Sequence, residues 1–362
     1  MADRISSFLG ANTPNGFVSF FGEFYNPYRT TNAYIIKGGP GTGKSTFMKK
    51  TAAALKLHGI STEWVYCSSD PDSLDGLIAP EIGFSLADGT SPHVLEPKFP
   101  GCGENIINPG AFWDEKKLKN QADTIRSLTL ENSLHHRRSS GYLSAAGSID
   151  KEIQLIFQRY IKEDKINSFA NRFIMRELPK KRGCQPGRRS KRFLSGITPK
   201  GVIFCTETVT KLASRIIGIC DDYSAVSPMI VSRIAEGAIK HGYDVILCHC
   251  PMRPKECEHI IIPEVSLALI TVKNEHETNI PFDRFIHAKR FLHEGIKDKK
   301  SVLRFDRRLK NELINEAVQK LKEAKQTHDR LEKIYIDAMD YKKLNSYCDE
   351  FIKRLVEDIG QK

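Results

Sequence analysis

Nine residues near the N-terminus constrain this chain more than any other part of its sequence. They are Gly38, Gly39, Pro40, Gly41, Thr42, Gly43, Lys44, Ser45 and Thr46. Four residues separate two glycines, and lysine and serine follow the second, which is the pattern of a loop that binds phosphate groups. The apolar run at 34–36 predicts a strand before the loop, and the run at 47–55 predicts a helix after it. Strand, glycine loop and helix in this order predict a nucleotide-binding site.

The residue types in this loop suit a triphosphate. Glycine leaves the backbone N–H groups accessible and permits positive φ, and the N-terminus of the following helix carries a partial positive charge. Lys44 can reach the β- and γ-phosphates and is the first catalytic candidate, while the Ser45 hydroxyl can bind Mg²⁺. We therefore expect ATP and Mg²⁺ as cofactors. The alternative is a glycine-rich turn that caps an ordinary helix, which the filled pattern and its flanks disfavour.

Two parts of the chain resemble each other at a nearly constant spacing. Residues 8–16 align with residues 193–201 at an offset of 185 positions, and later matches keep an offset of 183. These later matches pair His58 with His241, Cys67 with Cys250, Pro71 with Pro254, Pro80 with Pro263 and His93 with His276. A constant offset over this span predicts a duplicated unit of roughly 180 residues, far longer than a solenoid repeat.

The second copy has lost the glycine loop. At the same offset the nine residues fall on 221–229, where no glycine remains, Ser227 replaces Lys44 and Pro228 replaces Ser45. Two aspartates stand where phosphates would bind, and like charges repel. We therefore expect the second half to keep the fold without binding a nucleotide, so that each chain binds one.

Two acidic residues are candidates for the carboxylate that holds Mg²⁺ in such sites. Asp88 directly follows an apolar run that predicts a strand, and Asp70 lies in an acidic, serine-rich loop after another such run. Their counterparts in the second copy are Thr271 and Arg253, so both acids are lost together with the lysine. We favour Asp88 because it ends its strand. Either residue could instead stabilise a turn.

Two further residues are candidates for catalysis. Glu81 could orient an attacking water, and His93 could sense the γ-phosphate or carry a proton. Their counterparts, Glu264 and His276, survive in the copy that lacks the loop. That survival favours structural roles shared by both copies.

Composition predicts a globular chain in a reducing compartment. The 362 residues are 40% hydrophobic and 27% charged, which is enough core material for two domains. No apolar run approaches the ~20 residues that span a bilayer, and the first residues do not resemble a secretion signal. Nine cysteines are too dilute for a disulfide scaffold. We expect a cytoplasmic protein with no membrane partner.

Most of the net charge of +11 belongs to one segment. Residues 180–192 contain seven basic residues and no acidic one, and the rest of the chain carries the remaining +4. A basic segment can bind nucleic acid, but this one also has the composition of a linker, so nucleic acid is not the favoured partner. Besides the nucleotide, a protein partner or a homodimer is compatible with the sequence.

These observations predict an α/β fold of two P-loop NTPase-like units with mainly parallel sheets and helical insertions, the second unit with a degenerate loop. We expect the first domain at residues 1–179, with a helical hairpin at about 114–178. A basic linker would follow at 180–192, and the second domain, with long C-terminal helices, at 193–362. Apolar stripes in the helical tails predict core packing, and they could also pair the two halves with pseudo-twofold symmetry.

The chain resembles a family of uncharacterised bacterial tandem P-loop ATPases. Four stretches carry this resemblance, residues 38–46, 67–76, 88–93 and 109–114. The resemblance covers nearly the whole chain and implies ATP binding in a duplicated unit, without a substrate. Both halves of family members can carry a glycine loop, and this sequence departs from that pattern at 221–229.

The sequence leaves several functions open. A Mg-dependent ATPase or ATP-driven switch is the first prediction, and a kinase that phosphorylates a small molecule or nucleotide is the main alternative. A nucleic-acid motor is less favoured, since we find neither an Asp-Glu box after an apolar strand nor an arginine motif of the expected kind. A nucleotide-gated scaffold with little turnover is the fourth prediction.

Overall fold

The computed structural model describes residues 4–24, 32–92, 94–273 and 279–360. Within these residues the chain forms two six-stranded mixed sheets with helices packed on them, which confirms the predicted α/β class. In each sheet five strands run in one direction and one strand runs against them. The sheets are therefore mainly parallel, as expected.

The two sheets have the same strand order. In spatial order the first sheet comprises β1 (Arg4–Ser7), β5 (Thr62–Tyr66), β6 (Leu74–Ala79), β7 (Phe84–Asp88), β4 (Asn32–Ile36) and β8 (Glu104–Ile107). The second comprises β9 (Arg189–Arg192), β13 (Val245–Cys250), β14 (Arg253–Ile262), β15 (Leu267–Val272), β12 (Arg215–Cys220) and β16 (Arg284–His287). Two small hairpins are β2 (Gly10–Thr13) with β3 (Gly16–Ser19), and β10 (Ser195–Thr198) with β11 (Gly201–Phe204). This shared order is what a duplicated sequence unit requires.

The helices repeat in the same way. They are α1 (Phe21–Phe24), α2 (Lys44–Leu57), α3 (Glu115–Asn120), α4 (Ala122–Gln158), α5 (Glu163–Glu177), α6 (Thr206–Leu212), α7 (Ser227–Lys240), α8 (Lys300–Ala338) and α9 (Tyr341–Gly360). We call the first sheet with its hairpin and α2 the first unit, and the second sheet with its hairpin and α7 the second unit. Helices α4 and α5 form the first arm, and α8 and α9 form the second arm.

Central strands are apolar runs because other parts of the chain cover both faces of each sheet. All five residues of β7 are buried, and so are five of the six residues of β15. Helices α2 and α7 each bury one apolar face against their sheet. The glycine loop thus follows β4 directly, next to the fully buried strand β7.

The two units join through a pair of phenylalanines at equivalent positions. Phe8 and Phe193 exchange two backbone hydrogen bonds of 2.9 Å each, and both side chains are fully buried. Because the same residue of each copy meets its counterpart reciprocally, the two units are related by a pseudo-twofold axis at this point.

Each arm crosses to the opposite unit. Helices α4 and α8 run antiparallel, with Ser139 donating to the Ala317 carbonyl oxygen near the middle. Helix α5 then packs on α7 of the second unit, and α9 packs on α2 of the first, where Phe351 lies 5.1 Å from the Phe47 ring. The hairpin that the sequence placed with residues 1–179 therefore contributes core residues to the second sheet.

Part of the predicted basic linker belongs to a sheet. Arg189–Arg192 form the edge strand β9, paired in parallel with β13. Arg192 reaches the first unit, where its guanidinium bonds both carboxylate oxygens of Glu63 at 2.6 and 3.0 Å. Burial opposes ionisation of Glu63, yet Arg192 holds the pKa of this carboxyl below its ordinary value. This ion pair ties the two units together.

Candidate functional site

The glycine loop connects β4 to α2. Gly41 and Gly43 have φ angles of +65° and +75°, in the left-handed region that glycine adopts without strain. The buried Thr42 hydroxyl donates to the Gly39 carbonyl oxygen at 2.8 Å and fixes the turn. Thr46 lies on the exposed side of α2. The loop therefore has a defined, sharply turned backbone in which glycine is required at two positions.

Lys44, the first residue of α2, turns its ammonium group back over the loop. Its Nζ donates to the carbonyl oxygens of Gly38 at 2.7 Å and Gly39 at 2.9 Å. The same Nζ lies 3.5 Å from Oδ2 of Asp88, and the two side chains are only 14% and 12% exposed. A cation is thus held between the loop and the neighbouring strand.

Asp88 ends β7 at the edge of the sheet where the loop begins. Strand β7 runs parallel to β4, and their register pairs Ile36 with Asp88. One carboxylate oxygen of Asp88 accepts hydrogen bonds from the backbone and hydroxyl of Thr90, while the other faces Lys44. The prediction that Asp88 lies beside the loop at a strand end is confirmed by this register; its role toward Mg²⁺ stays a prediction.

A third carboxylate, Asp75, lies at the same edge. It starts β6 beside Leu74, whose N–H donates to the Ser45 hydroxyl oxygen at 3.0 Å. Strand β6 runs antiparallel next to β7, and this register places Asp75 next to Asp88. Asp75 is 5% exposed. No sequence pattern distinguishes Asp75 from the other acids of its loop, because its position depends on the antiparallel direction of β6.

Asp70 lies further from the loop, on the segment that follows β5. It accepts a hydrogen bond of 2.8 Å from the Ser73 hydroxyl, and Lys325 of the second arm lies 3.6 Å away. Burial opposes the charge of Lys325, but Asp329 and Asp70 raise the pKa of this ammonium above its ordinary value. Of the two acidic candidates for the metal, Asp88 is the one that directly contacts Lys44 in the described part of the chain.

The structure does not bring Glu81 to the loop. Glu81 is exposed in the short turn Pro80–Ile82, which precedes β7, whereas Asp88 ends that strand. Five residues of β-strand span about 16 Å, so Glu81 lies at the opposite edge of the sheet. His93 lies outside the described residues.

The second arm covers the outer side of the loop. The Tyr341 hydroxyl donates to the Gly41 carbonyl oxygen at 2.5 Å. A Cβ atom on Gly41 would lie 2.7 Å from the Glu332 carbonyl oxygen, and one on Gly43 would lie 3.0 Å from Leu344. The glycines thus permit both the turn and the close approach of α8 and α9. These contacts span almost 300 positions of sequence, and no local pattern indicates them.

In the second unit, a side-chain carboxylate binds the helix N-terminus at the position equivalent to the glycine loop. One Asp221 carboxylate oxygen accepts hydrogen bonds of 2.8 Å from the backbone N–H groups of Val226 and Ser227, at the start of α7. Asp221 is 5% exposed. The amides at this helix N-terminus are therefore satisfied by a side chain, in the manner of a bound phosphate.

Further fixed charges fill the same region of the second unit. Glu258, the counterpart of Asp75, lies 2.5 Å from Lys273 and accepts a hydrogen bond of 2.9 Å from Ser224. Arg253 lies 3.1 Å from Asp150 of the first arm. Although burial raises the pKa of Glu258, Lys273 and other nearby cations lower it well below its ordinary value. This region of the second unit is thus held together by its own ion pairs.

No cluster of three or more metal-ligating side chains occurs among the described residues. No helix in that part of the chain is both long enough and apolar enough to cross a membrane. Comparison with family models, with curated proteins and with solved structures found no match. The resemblance to tandem P-loop ATPases therefore stays a prediction.

Proposed function

We propose that the chain binds one Mg·ATP at its glycine loop and acts as an ATPase or ATP-driven switch. The contrast between two equivalent helix starts supports this most strongly. In the second unit the first amides of α7 bind the Asp221 carboxylate. The counterpart of Asp221 in the first unit is Gly38, which has no side chain. A phosphate group from outside the chain can take the same place at α2.

The residues at this edge of the first sheet fit such a ligand. The Lys44 ammonium, now bonded to two carbonyl oxygens of the loop, could bind a phosphate instead. Ser45 and Asp88 would hold Mg²⁺, with Asp75 beside them. Magnesium usually keeps several waters and takes its remaining ligands from one or two side chains and the phosphates. When bound, the metal would neutralise charge that develops on the transferred phosphoryl group.

The position of the second arm suggests how nucleotide binding would change the rest of the structure. Tyr341 and Leu344 contact the loop directly, and the same arm packs along the first arm through α4 and α8. A change in the loop backbone on nucleotide binding would therefore shift a helix pair that spans both units. This supports a switch more than an isolated hydrolase.

Phosphate release from ATP by purified Lys44→Ala tests the site. We expect turnover to fall by about 10²-fold or more, because a charged group aimed at the phosphates is lost. Lys49→Ala is the matched control, since Lys49 lies on the same helix and donates to the Asp72 carbonyl oxygen at the surface. Equal turnover in the two variants would contradict the proposal. A loop needed only for arm packing would tolerate the loss of Lys44.

A second pair of variants tests which of two aspartates binds Mg²⁺. Asp88→Asn should weaken the Mg²⁺ dependence of turnover more than Asp70→Asn, because Asp88 contacts Lys44 and Asp70 does not. The opposite ranking would assign the metal to Asp70. Product analysis distinguishes the chemistry, since free phosphate indicates an ATPase and a phosphorylated acceptor indicates a kinase.

A further inference from the structure

We propose that a separate binding site, for a small molecule with a planar aromatic ring and an anionic group, lies where the first unit meets the second. The site is a cavity of about 610 Å³ between the hairpin β2–β3 of the first unit and the sheet and helix α7 of the second. Pockets of about 300–1,000 Å³ hold drug-sized ligands. Phe20, Leu247 and His249 form its floor, and Arg189, Lys191 and Lys255 line it with positive charge.

The first unit shows what fills the equivalent position there. Strand register matches β1 to β9 and β5 to β13, so Arg4 corresponds to Arg189 and Trp64 corresponds to Leu247. In the first unit the Arg4 guanidinium lies 4.5 Å from the centre of the Trp64 ring. In the second unit the guanidinium is kept and the indole is replaced by a smaller side chain. A planar ring bound from outside can take the place of that indole beneath Arg189.

Two further residues that line the cavity also lack the contact made by their counterparts in the first unit. In the first unit Lys200, from the opposite hairpin, bonds both carboxylate oxygens of Asp72 at 2.7 and 2.6 Å. The counterparts of this pair are Asn15 and Lys255, which both line the cavity. Asparagine and lysine cannot form an ion pair, so this cavity lacks the ion pair found at the equivalent position of the first unit.

The charges around the cavity select an anion. Three cationic side chains line it, against one carboxylate, Glu236 of α7. The Cys257 thiol also lines the cavity, and burial raises its pKa to about 12, so it adds no negative charge near neutral pH. His249 is held in place by a hydrogen bond of 2.9 Å with the Pro254 carbonyl oxygen and by the Phe20 ring, 5.0 Å away. The aromatic floor and cationic lining together fit an aromatic carboxylate, sulfonate or phosphate.

Fluorescence titration with 8-anilinonaphthalene-1-sulfonate, a planar aromatic sulfonate, tests this site. We expect saturable binding of one dye per chain in the wild type. Leu247→Trp copies the first unit and should weaken binding at least tenfold. The double variant Asn15→Lys with Lys255→Asp copies the ion pair of the first unit and should also weaken binding. Lys353→Glu, on the exposed face of α9 far from the cavity, should leave the affinity unchanged.

Far-UV circular dichroism of each variant reports whether it folds. If either cavity variant folds and keeps wild-type dye affinity, the site is wrong. If the cationic dye thioflavin T binds as tightly as the sulfonate and is lost in the same variants, the anionic assignment is wrong. The site does not depend on ATP binding, so the titration is done without nucleotide and its result stands apart from that of Lys44→Ala.

Discussion

Replacing Asp221 with alanine should destabilise the second unit at the start of α7. The carboxylate is almost fully buried and one of its oxygens accepts two backbone hydrogen bonds of 2.8 Å. Loss of a helix N-terminal cap costs about 0.5–2 kcal/mol, and a hydrogen bond to a charged group contributes about 1.5–3 kcal/mol. Because both amides lose their acceptor together, we expect the free energy of unfolding to fall by roughly 2–3 kcal/mol.

Asp222→Ala is the matched control for this variant. Asp222 is the next residue, but its carboxylate is about one-third exposed and lies 3.9 Å from Arg307. A partly exposed ion pair of this kind contributes about 0–1 kcal/mol. Urea unfolding followed by circular dichroism at 222 nm should therefore rank Asp221→Ala well below Asp222→Ala and the wild type. Equal stability of the two variants would refute the capping role.

Inorganic phosphate provides a sharper test of the same reasoning. In Asp221→Ala the first amides of α7 are open to an anion, as we propose for α2. Phosphate at ten times its dissociation constant would stabilise the folded state by about 1.4 kcal/mol. We expect phosphate, compared with chloride at equal ionic strength, to raise the unfolding midpoint of Asp221→Ala more than that of Asp222→Ala. An equal shift in both would show that this helix start does not bind anions.

Two pH-dependent predictions follow from other buried groups. Glu63→Gln should cost about 3 kcal/mol, as breaking one side of a buried ion pair does. Since Arg192 lowers the folded-state pKa of Glu63, this stabilisation is present above an unfolded carboxyl pKa of about 4.3 and is lost as pH falls below it. In urea melts the difference between the variant and the wild type should therefore shrink progressively as pH falls below about 4.3; a constant difference would contradict this. Between the arms, burial chiefly lowers the pKa of His136 and of His328 in the folded protein. As pH falls, these histidines therefore bind protons more readily in the unfolded chain, and the free energy of unfolding should decrease below about pH 6.5. His136→Gln should reduce this dependence of the free energy of unfolding on pH. An unchanged dependence would show that other groups cause it.

The duplicated topology could be predicted because the sequence repeats at a fixed spacing. Residues 8–16 and 193–201 form the same turn and hairpin in the two units, and Phe8 meets Phe193 at the pseudo-twofold axis. The strand before the glycine loop, the helix after it and the strand that ends at Asp88 also lie close to their predicted positions, because their apolar residues follow the strand or helix period.

The exchange of the arms could not be predicted. An apolar stripe on α5 or α9 shows which face is buried, and it does not show which of two homologous sheets buries it. Arg189–Arg192 is too polar to indicate a strand from its side chains, yet it pairs through its backbone with β13 and through Arg192 with Glu63. Both features depend on contacts between residues at least 50 positions apart in the sequence.

Part of the candidate site could be predicted as well. Lys44 and Asp88 lie together as expected, because adjacent parallel strands end at the same edge of a sheet. Asp75 and Tyr341 were missed, since one depends on the reversed direction of β6 and the other arrives from the opposite unit. Glu81 looked like a neighbour of Asp88 in sequence, but a full strand length separates them.

Calorimetric titration of the full chain with Mg·ATP counts the nucleotide sites and shows whether Lys44 is needed for them. We expect one binding site per chain, no measurable binding by Lys44→Ala, and full binding by Asp222→Ala. Two sites per chain, or affinity in Lys44→Ala equal to that of the wild type, would contradict it.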